Sequence, residues 1–166
     1  MREPAARWTR WLGVSAAVVV ADLATKAWVS RVFTPGESIE ITPFFNLVLA
    51  YNTGAAFSFL AGAGGWQRWF FTFVTIAISI AIVVMLSRQR NAPWVSAALA
   101  LVLGGALGNL YDRLTLGHVV DFVQLHAAGY YWPAFNVADS AITAGVAMLI
   151  WDSLRPKAGR LGQEKP

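Results

Sequence analysis

The sequence predicts an all-α membrane protein, four transmembrane helices with a small extracytoplasmic β-like or re-entrant element. Three observations lead there. Of 166 residues, 57% are apolar and only 13% charged, and the mean hydropathy is +0.52, far from the profile of a soluble domain. Four apolar runs approach the length that crosses a hydrocarbon core, about 20 helical residues. Basic residues cluster beside those runs, so the net charge of +4 reads as membrane orientation and not as a nucleic-acid surface. The absence of cysteine excludes disulfides and thiol catalysis. Two histidines, His118 and His126, lie outside any zinc spacing, so no metal and no cofactor is expected. The chain has room for one domain, residues 1–166.

The first apolar run extends from about Trp11 to Val29, behind Arg2, Arg7 and Arg10. A cleaved signal peptide begins in the same way, but Asp22 and Lys26 interrupt this run and no small-residue cleavage site follows it. It is read as a retained helix. Asp22 and Lys26, four apart, share a helix face and can neutralise each other, which by itself would account for both. Ser38 to Thr42 alternates like a short strand. Pro43 to Leu60 is apolar enough for a fifth helix, yet Asn46, Asn52, Thr53 and Gly54 break it. Charge decides. With residues 30–68 outside, Arg2, Arg7, Arg10, Arg88, Arg90, Arg155, Lys157, Arg160 and Lys165 fall on one side, whereas a fifth crossing would split them. Gly54, after Asn52 and Thr53, marks a turn with an unusual angle or a close backbone approach.

The second span runs from about Trp69 to Leu86, anchored by Trp66 and Trp69, and Arg88 to Asn91 forms a short cytoplasmic turn. The third runs from Trp94 to about Tyr111, and its Gly104 and Gly108 admit a neighbouring helix closely. The fourth covers about Val137 to Trp151, with Asp152 as a solvated interfacial charge. Residues 112–136 form a second outer segment, and the basic tail 156–166 is expected to be disordered.

The stretch from Gly104 to Ser140 leaves one span and enters the next carrying Asp112, Arg113, Asp121 and Asp139. Acids near lipid cost free energy, so they are functional candidates. Asp22, about 16 Å along its helix from Trp11, sits in the outer half at a similar depth. Four helices therefore bring Asp22, Lys26, Asn52, Asn109, Arg113, Asp121, Asn136 and Asp139 to one level, although 18 positions separate the last two acids. Plainer explanations exist for each: Asp139 as a helix cap, Asp112 with Arg113 as a local ion pair, Asp121 as a solvated loop acid. Two neighbouring carboxyls tend to hold one proton between them, so one can take a proton from water while the other donates to a carbonyl. A serine–lysine scheme using Lys26 with Ser58 or Ser140 competes, weakened by Asp22 as the natural partner of Lys26. An ion path through a small transporter or channel subunit, and a non-catalytic assembly partner, also use these residues.

Five blocks resemble the bacterial lipoprotein signal peptidases, the type II signal peptidase family: Asp22-Leu-Ala-Thr-Lys26, Asn52-Thr-Gly-Ala-Ala-Phe-Ser58, Gly104-Gly-Ala-Leu-Gly-Asn-Leu-Tyr-Asp-Arg113, Val119-Val-Asp-Phe122 and Ala134-Phe-Asn-Val-Ala-Asp-Ser140. The resemblance covers about Trp11 to Trp151. It implies a monomeric aspartic endopeptidase of the bacterial cytoplasmic membrane, both termini cytoplasmic and the site at the periplasmic face. Its substrates would be diacylglyceryl-modified prolipoproteins, cut before the lipidated cysteine, in contact with membrane lipid and without nucleic acid. Asp121 and Asp139 would be catalytic. Asn52, Gly54, Gly108, Asn109, Arg113 and Asn136 would line the site, supported by Asp22 and Lys26. The outer segment Ser38 to Leu60 is expected to clamp substrate against the bundle, with Asn52 and Phe57 taking part.

Overall fold

A computed structural model describes residues 6–54, 64–89 and 92–155. Among them are four helices long and apolar enough to cross a membrane: α1 (Ala6–Val32), α2 (Trp66–Arg88), α3 (Pro93–Thr115) and α4 (Val137–Leu154). Large apolar side chains on α2, among them Phe70, Phe73, Ile78 and Ile80, point outward, where lipid tails take the place of a protein core. Helix α3 is the centre of the bundle and packs on the other three.

Small residues make that central position possible. A Cβ on Gly104 would stand 2.7 Å from Val18 Cβ and 2.8 Å from the Ser15 carbonyl oxygen, so this glycine seats α1. The Ser15 hydroxyl donates to the Ala100 carbonyl at 2.8 Å across the same contact. Gly108, one turn on, faces Asp22, whose Oδ2 a Cβ would meet at 2.5 Å. Gly105 does for α4 what Gly104 does for α1: its absent Cβ would run into the Ala138 carbonyl oxygen and stand 2.7 Å from Ile142 Cγ1. A backbone oxygen cannot rotate away, so Gly105→Ala must push α4 outward. Overpacking of this kind costs about 1–3 kcal/mol. A lowered thermal midpoint in detergent is expected, together with a disturbed N-terminus of α4; an unchanged midpoint would show that the contact is loose.

The element beside the helices is a four-stranded antiparallel sheet in the order β1 (Ser38–Thr42), β2 (Phe45–Asn52), β3 (Val119–Ala127), β4 (Tyr130–Tyr131). Its third and fourth strands come from the segment after α3, a region the sequence left as an outer stretch without assigned strands. Val29 and Phe33 of α1 pack with Leu49, Val120 and Phe122, fastening the sheet to one end of the bundle. A second cluster, Ile82, Leu86, Leu99 and Leu103, closes the opposite end around Trp8 and Trp11. The expectations for Ala55 to Leu60, for Arg90 and Asn91, and for the tail 156–166 lie outside the described residues.

Candidate active site

Two elements bring the acids together. Between Leu47 and Ala50 the β2–β3 ladder shifts by one residue, a bulge, after which Ala50 lies opposite Asp121. The chain returning toward α4 then pins itself along β3: Phe122 and Val123 both donate to the Phe135 carbonyl, at 3.0 and 2.8 Å, and Phe135 donates back to Val123 at 2.9 Å. The next residue, Asn136, is consequently held beside Asp121 and is fully buried.

Asn136 is the joint of the site. Its side-chain Nδ2 donates to Asp121 Oδ1 at 2.7 Å and to the Val120 carbonyl at 3.2 Å. Its Oδ1 accepts from the Asp139 backbone N–H at 2.9 Å, and Asp139 Oδ2 accepts from the Asn136 N–H at 3.3 Å, a capping box at the start of α4. Asp139 is thus a helix-capping residue, as one plain reading had it, but at the third helical position with Asn136 as the cap. Its other oxygen, Oδ1, accepts from Asn109 Nδ2 at 2.8 Å. Asn52 Nδ2 donates to Asp121 Oδ2 at 3.2 Å, while Asn52 Oδ1 accepts from the Gly54 N–H at 2.9 Å. Gly54 is buried, and its carbonyl accepts from Arg113 at 3.1 Å, the close backbone approach that its position suggested.

Behind this layer lies a charged one. Lys26 Nζ is 2.7 Å from Asp22, 2.9 Å from Asp112 and 3.0 Å from Asn109 Oδ1, which engages all three of its N–H donors. Asp22 in turn accepts from the Ala138 N–H at 2.9 Å, and Asp112 from the Val120 N–H at 3.1 Å. The cluster locks α1, α3, β3 and α4 to one another. Two readings change. Asp22 and Lys26 are two members of a triad, and Asp112 pairs with Lys26; among the described residues no ion pair joins it to Arg113. Asp112 is the member that sequence reasoning left out of the site. Helix spacing was the available signal, since residues i and i+1 point about 100° apart and do not face each other.

The serine–lysine arrangement finds no support. Lys26 has no free donor direction, Ser140 Oγ donates to the Asn136 carbonyl at 2.9 Å, and Ser58 lies outside the described residues. His118 lies against Tyr51 with the rings tilted by 38°, and His126 stacks on Tyr131.

Asp121 is only 3% exposed, and among the described residues no ion pair joins it to a cation. Burial, reinforced by the negative charge of Asp139, pushes its carboxyl up to about 7, against the pull of the hydrogen bonds from Asn52 and Asn136. The charge balance agrees. Among the described residues, Asp22, Asp112, Asp121 and Asp139 face Lys26 and Arg113, two acids more than cations, so a proton retained on one carboxyl relieves the excess.

Fold and site together define a multi-pass membrane protein with a recessed cluster of carboxyl and amide side chains at one end of its helices. The model of the family described as signal peptidase (SPase) II matches residues 14–155. A lipoprotein signal peptidase of Paraburkholderia phymatum is 54% identical over 149 residues, 90% of each chain, and one of Ralstonia nicotianae is 57% identical over 145 residues, 87% of this chain and 84% of that one. A bacterial membrane enzyme solved by the in meso method at 2.3 Å resolution superposes with a TM-score of 0.83 at 33% identity over 95% of both chains. The chain belongs to the signal peptidase II family.

Proposed function

We propose that this chain is an aspartic endopeptidase that removes signal peptides from diacylglyceryl-modified prolipoproteins, with Asp121 and Asp139 as its acid–base pair. The observation that carries the catalytic assignment is the bridge. Asn136 touches both carboxyls, that of Asp121 through its buried side chain and that of Asp139 through its backbone N–H, and Asn109 holds Asp139 from the other side. Family membership supports the peptidase activity and the lipoprotein substrates.

In this reading a water bound between the acids attacks the carbonyl carbon of the peptide bond before the lipidated cysteine. Asp139 takes the water proton while Asp121, carrying its own, donates it to the carbonyl oxygen. The tetrahedral intermediate collapses as the C–N bond breaks. The amine of the cysteine leaves with a proton, and the water oxygen remains in the new carboxyl of the signal peptide. Asn136 and Asn109 fix the two acids throughout, and Asp22, Lys26 and Asp112 hold the helices that carry them. Asn52 and Gly54, tied to Asp121 and Arg113, belong to the outer segment that clamps substrate against the bundle; Phe57 lies outside the described residues.

The orientation proposed is cytoplasmic termini with the acids at the outer face. Arg10 and Arg155 stand against Trp11, Trp94 and Trp151 at the end of the bundle away from the acids, in keeping with basic residues inside. The protein acts as a monomer in the cytoplasmic membrane. An ion path has less support, because Asp121 is closed in by Asn52 and Asn136.

The test is cleavage by the purified chain of a precursor with and without the diacylglyceryl group. Only the modified form should be cut. Because Asp121 acts while protonated and its carboxyl lies up to about 7, the rate should fall as pH rises past that value. The expected loss is about tenfold per pH unit. A rate that stays flat or rises from about pH 6 to about pH 9 would remove Asp121 from the role of acid.

A further inference from the structure

The β1–β2 and β3–β4 turns stand side by side at the end of the sheet away from Asp121. His126 donates to the Phe44 carbonyl at 3.0 Å and Trp132 to the Leu125 carbonyl at 2.8 Å, which joins the two turns and the segment after β4 into one tip. Val120, at the root of the sheet, packs with Val29 and Phe33 of α1. Leu125 lies five positions further along β3, so the tip stands about 17 Å from that contact, at ~3.3 Å per residue. The tip is apolar. Phe44 is 61% exposed and Tyr130 81%, with Leu125, Tyr131 and Trp132 exposed beside them. A shallow groove of about 300 Å³ runs between Phe44, Leu125, His126, Ala127, Tyr130 and Trp132. Neither residues 41–54 nor residues 122–138 include an Asp at the tip, and neither stretch contains Lys, Arg or Glu at all.

Exposed apolar surface of this kind marks a contact with protein or with lipid. Position decides for lipid. Beside Val29 and Phe33, Trp28 and Val32 face outward in the last turns of α1, as lipid-contacting residues of a span do. Exposed apolar side chains continue along the chain from there, Ile39 and Ile41 on the edge strand β1 and Phe44 at its turn. Trp66 and Trp69, exposed at the start of α2, mark the same end of the bundle as a membrane interface, because Arg68 between them donates to the Leu114 carbonyl at 2.9 Å near the end of α3. Tyrosine and tryptophan, large apolar rings with one polar edge, are the residues that settle at that depth. The β3–β4 turn agrees. Its two central residues are both left-handed, Ala128 at φ 50° and Gly129 at φ 82°. Asn, Asp or Gly ordinarily fills the first of these positions, whereas here an apolar methyl does.

We infer that this tip is immersed in the interfacial region of the leaflet nearest the acids, with phospholipid glycerol and upper acyl groups against Phe44, Leu125, Tyr130 and Trp132. The sheet then lies along the membrane surface instead of standing out into water. Because β3 carries Asp121, lipid contact at the tip and helix contact at the root together fix the depth of that carboxyl. The inference rests on the four spans and not on the cleavage chemistry.

The chain contains no cysteine, so one introduced cysteine takes one nitroxide label. The test labels Phe44→Cys, Tyr130→Cys, Glu40→Cys and Ile80→Cys in the full chain, reconstituted into vesicles of phosphatidylethanolamine and phosphatidylglycerol. Relaxation of each label by oxygen, which concentrates in lipid, is compared with relaxation by a water-soluble nickel chelate. Ile80, outward on α2, is the lipid reference, and Glu40, an exposed acid on β1, is the water reference. Labels at 44 and 130 should relax more with oxygen than with nickel, as the label at 80 does, while the label at 40 shows the reverse. All four positions are exposed, so the variants should keep the parent's thermal midpoint. Stronger relaxation by nickel at 44 and 130 would place the tip in water and overturn the inference. Low access to both agents would mean that protein covers the tip and would overturn it too; dipolar broadening that unlabelled chain dilutes away would identify that protein as a second copy.

Discussion

Replacing Asp139 with asparagine should lower cleavage of a diacylglyceryl-modified precursor by about 10²–10⁴-fold, the range for loss of a positioned acid–base group. The protein itself should survive. Asn can still accept from Asn109 through Oδ1, the bond now 2.8 Å long. What it loses is the acceptor for the Asn136 N–H, now 3.3 Å away, because an amide NH₂ cannot accept. One such hydrogen bond is worth about 0.5–1.5 kcal/mol. The two roles of Asp139 therefore separate by measurement. If the residue only caps α4, Asp139→Asn shifts the thermal midpoint by that small amount and leaves turnover near the parent's. If it takes the water proton, the midpoint moves equally little and turnover collapses.

The largest stability effect should come from Lys26→Met. Asp22 and Asp112 are 0% and 2% exposed, and Lys26 is the ammonium group between them. Removing one partner of a buried ion pair costs about 3–5 kcal/mol, chiefly because the other charge is left uncompensated, and here two are left. Lys26→Met should therefore lower the thermal midpoint strongly. Asn109 also loses one of the two donors to its Oδ1, keeping the one from Asn136, so its grip on Asp139 loosens and activity falls with stability. Adding Asp22→Asn and Asp112→Asn to Lys26→Met should recover much of the stability, since a neutral triad has no orphaned charge. A single Lys26→Met variant as stable as the parent would show that the triad is not a structural keystone.

The four helices are legible from sequence because their apolar runs match a physical length, and the basic residues then place the outer segment without recourse to its own ambiguous pattern. The polar level was legible for a similar reason: depth along a helix is set by 1.5 Å per residue, so Asp22, Lys26, Asn109 and Asp139 can be ranked before any contact is known. Strand β3 was not legible. Val119 to Phe122 is buried throughout, against β2 on one edge and the 133–136 segment on the other, so the alternation that announces a half-buried strand is missing. The partner of Asp112 was hidden by its neighbour, because Arg113 stands next in sequence while Lys26 comes from another helix. Gly105 was hidden likewise between Gly104 and Gly108, whose spacing advertises a single face; the adjacent glycine serves the opposite one, seating α4. Periodicity reports depth and direction, whereas partners supplied by a second helix are fixed only by packing.

The most direct measurement of the paired-acid mechanism is kcat/KM for Asp121→Asn, Asp139→Asn and the double variant on one lipid-modified precursor. Two acids that act as a unit are lost with either member. Each single variant should therefore fall by about 10²–10⁴-fold, and the double variant should fall no further. Single variants that keep most of the parent's activity, or losses that simply multiply in the double variant, would contradict a shared water held between Asp121 and Asp139.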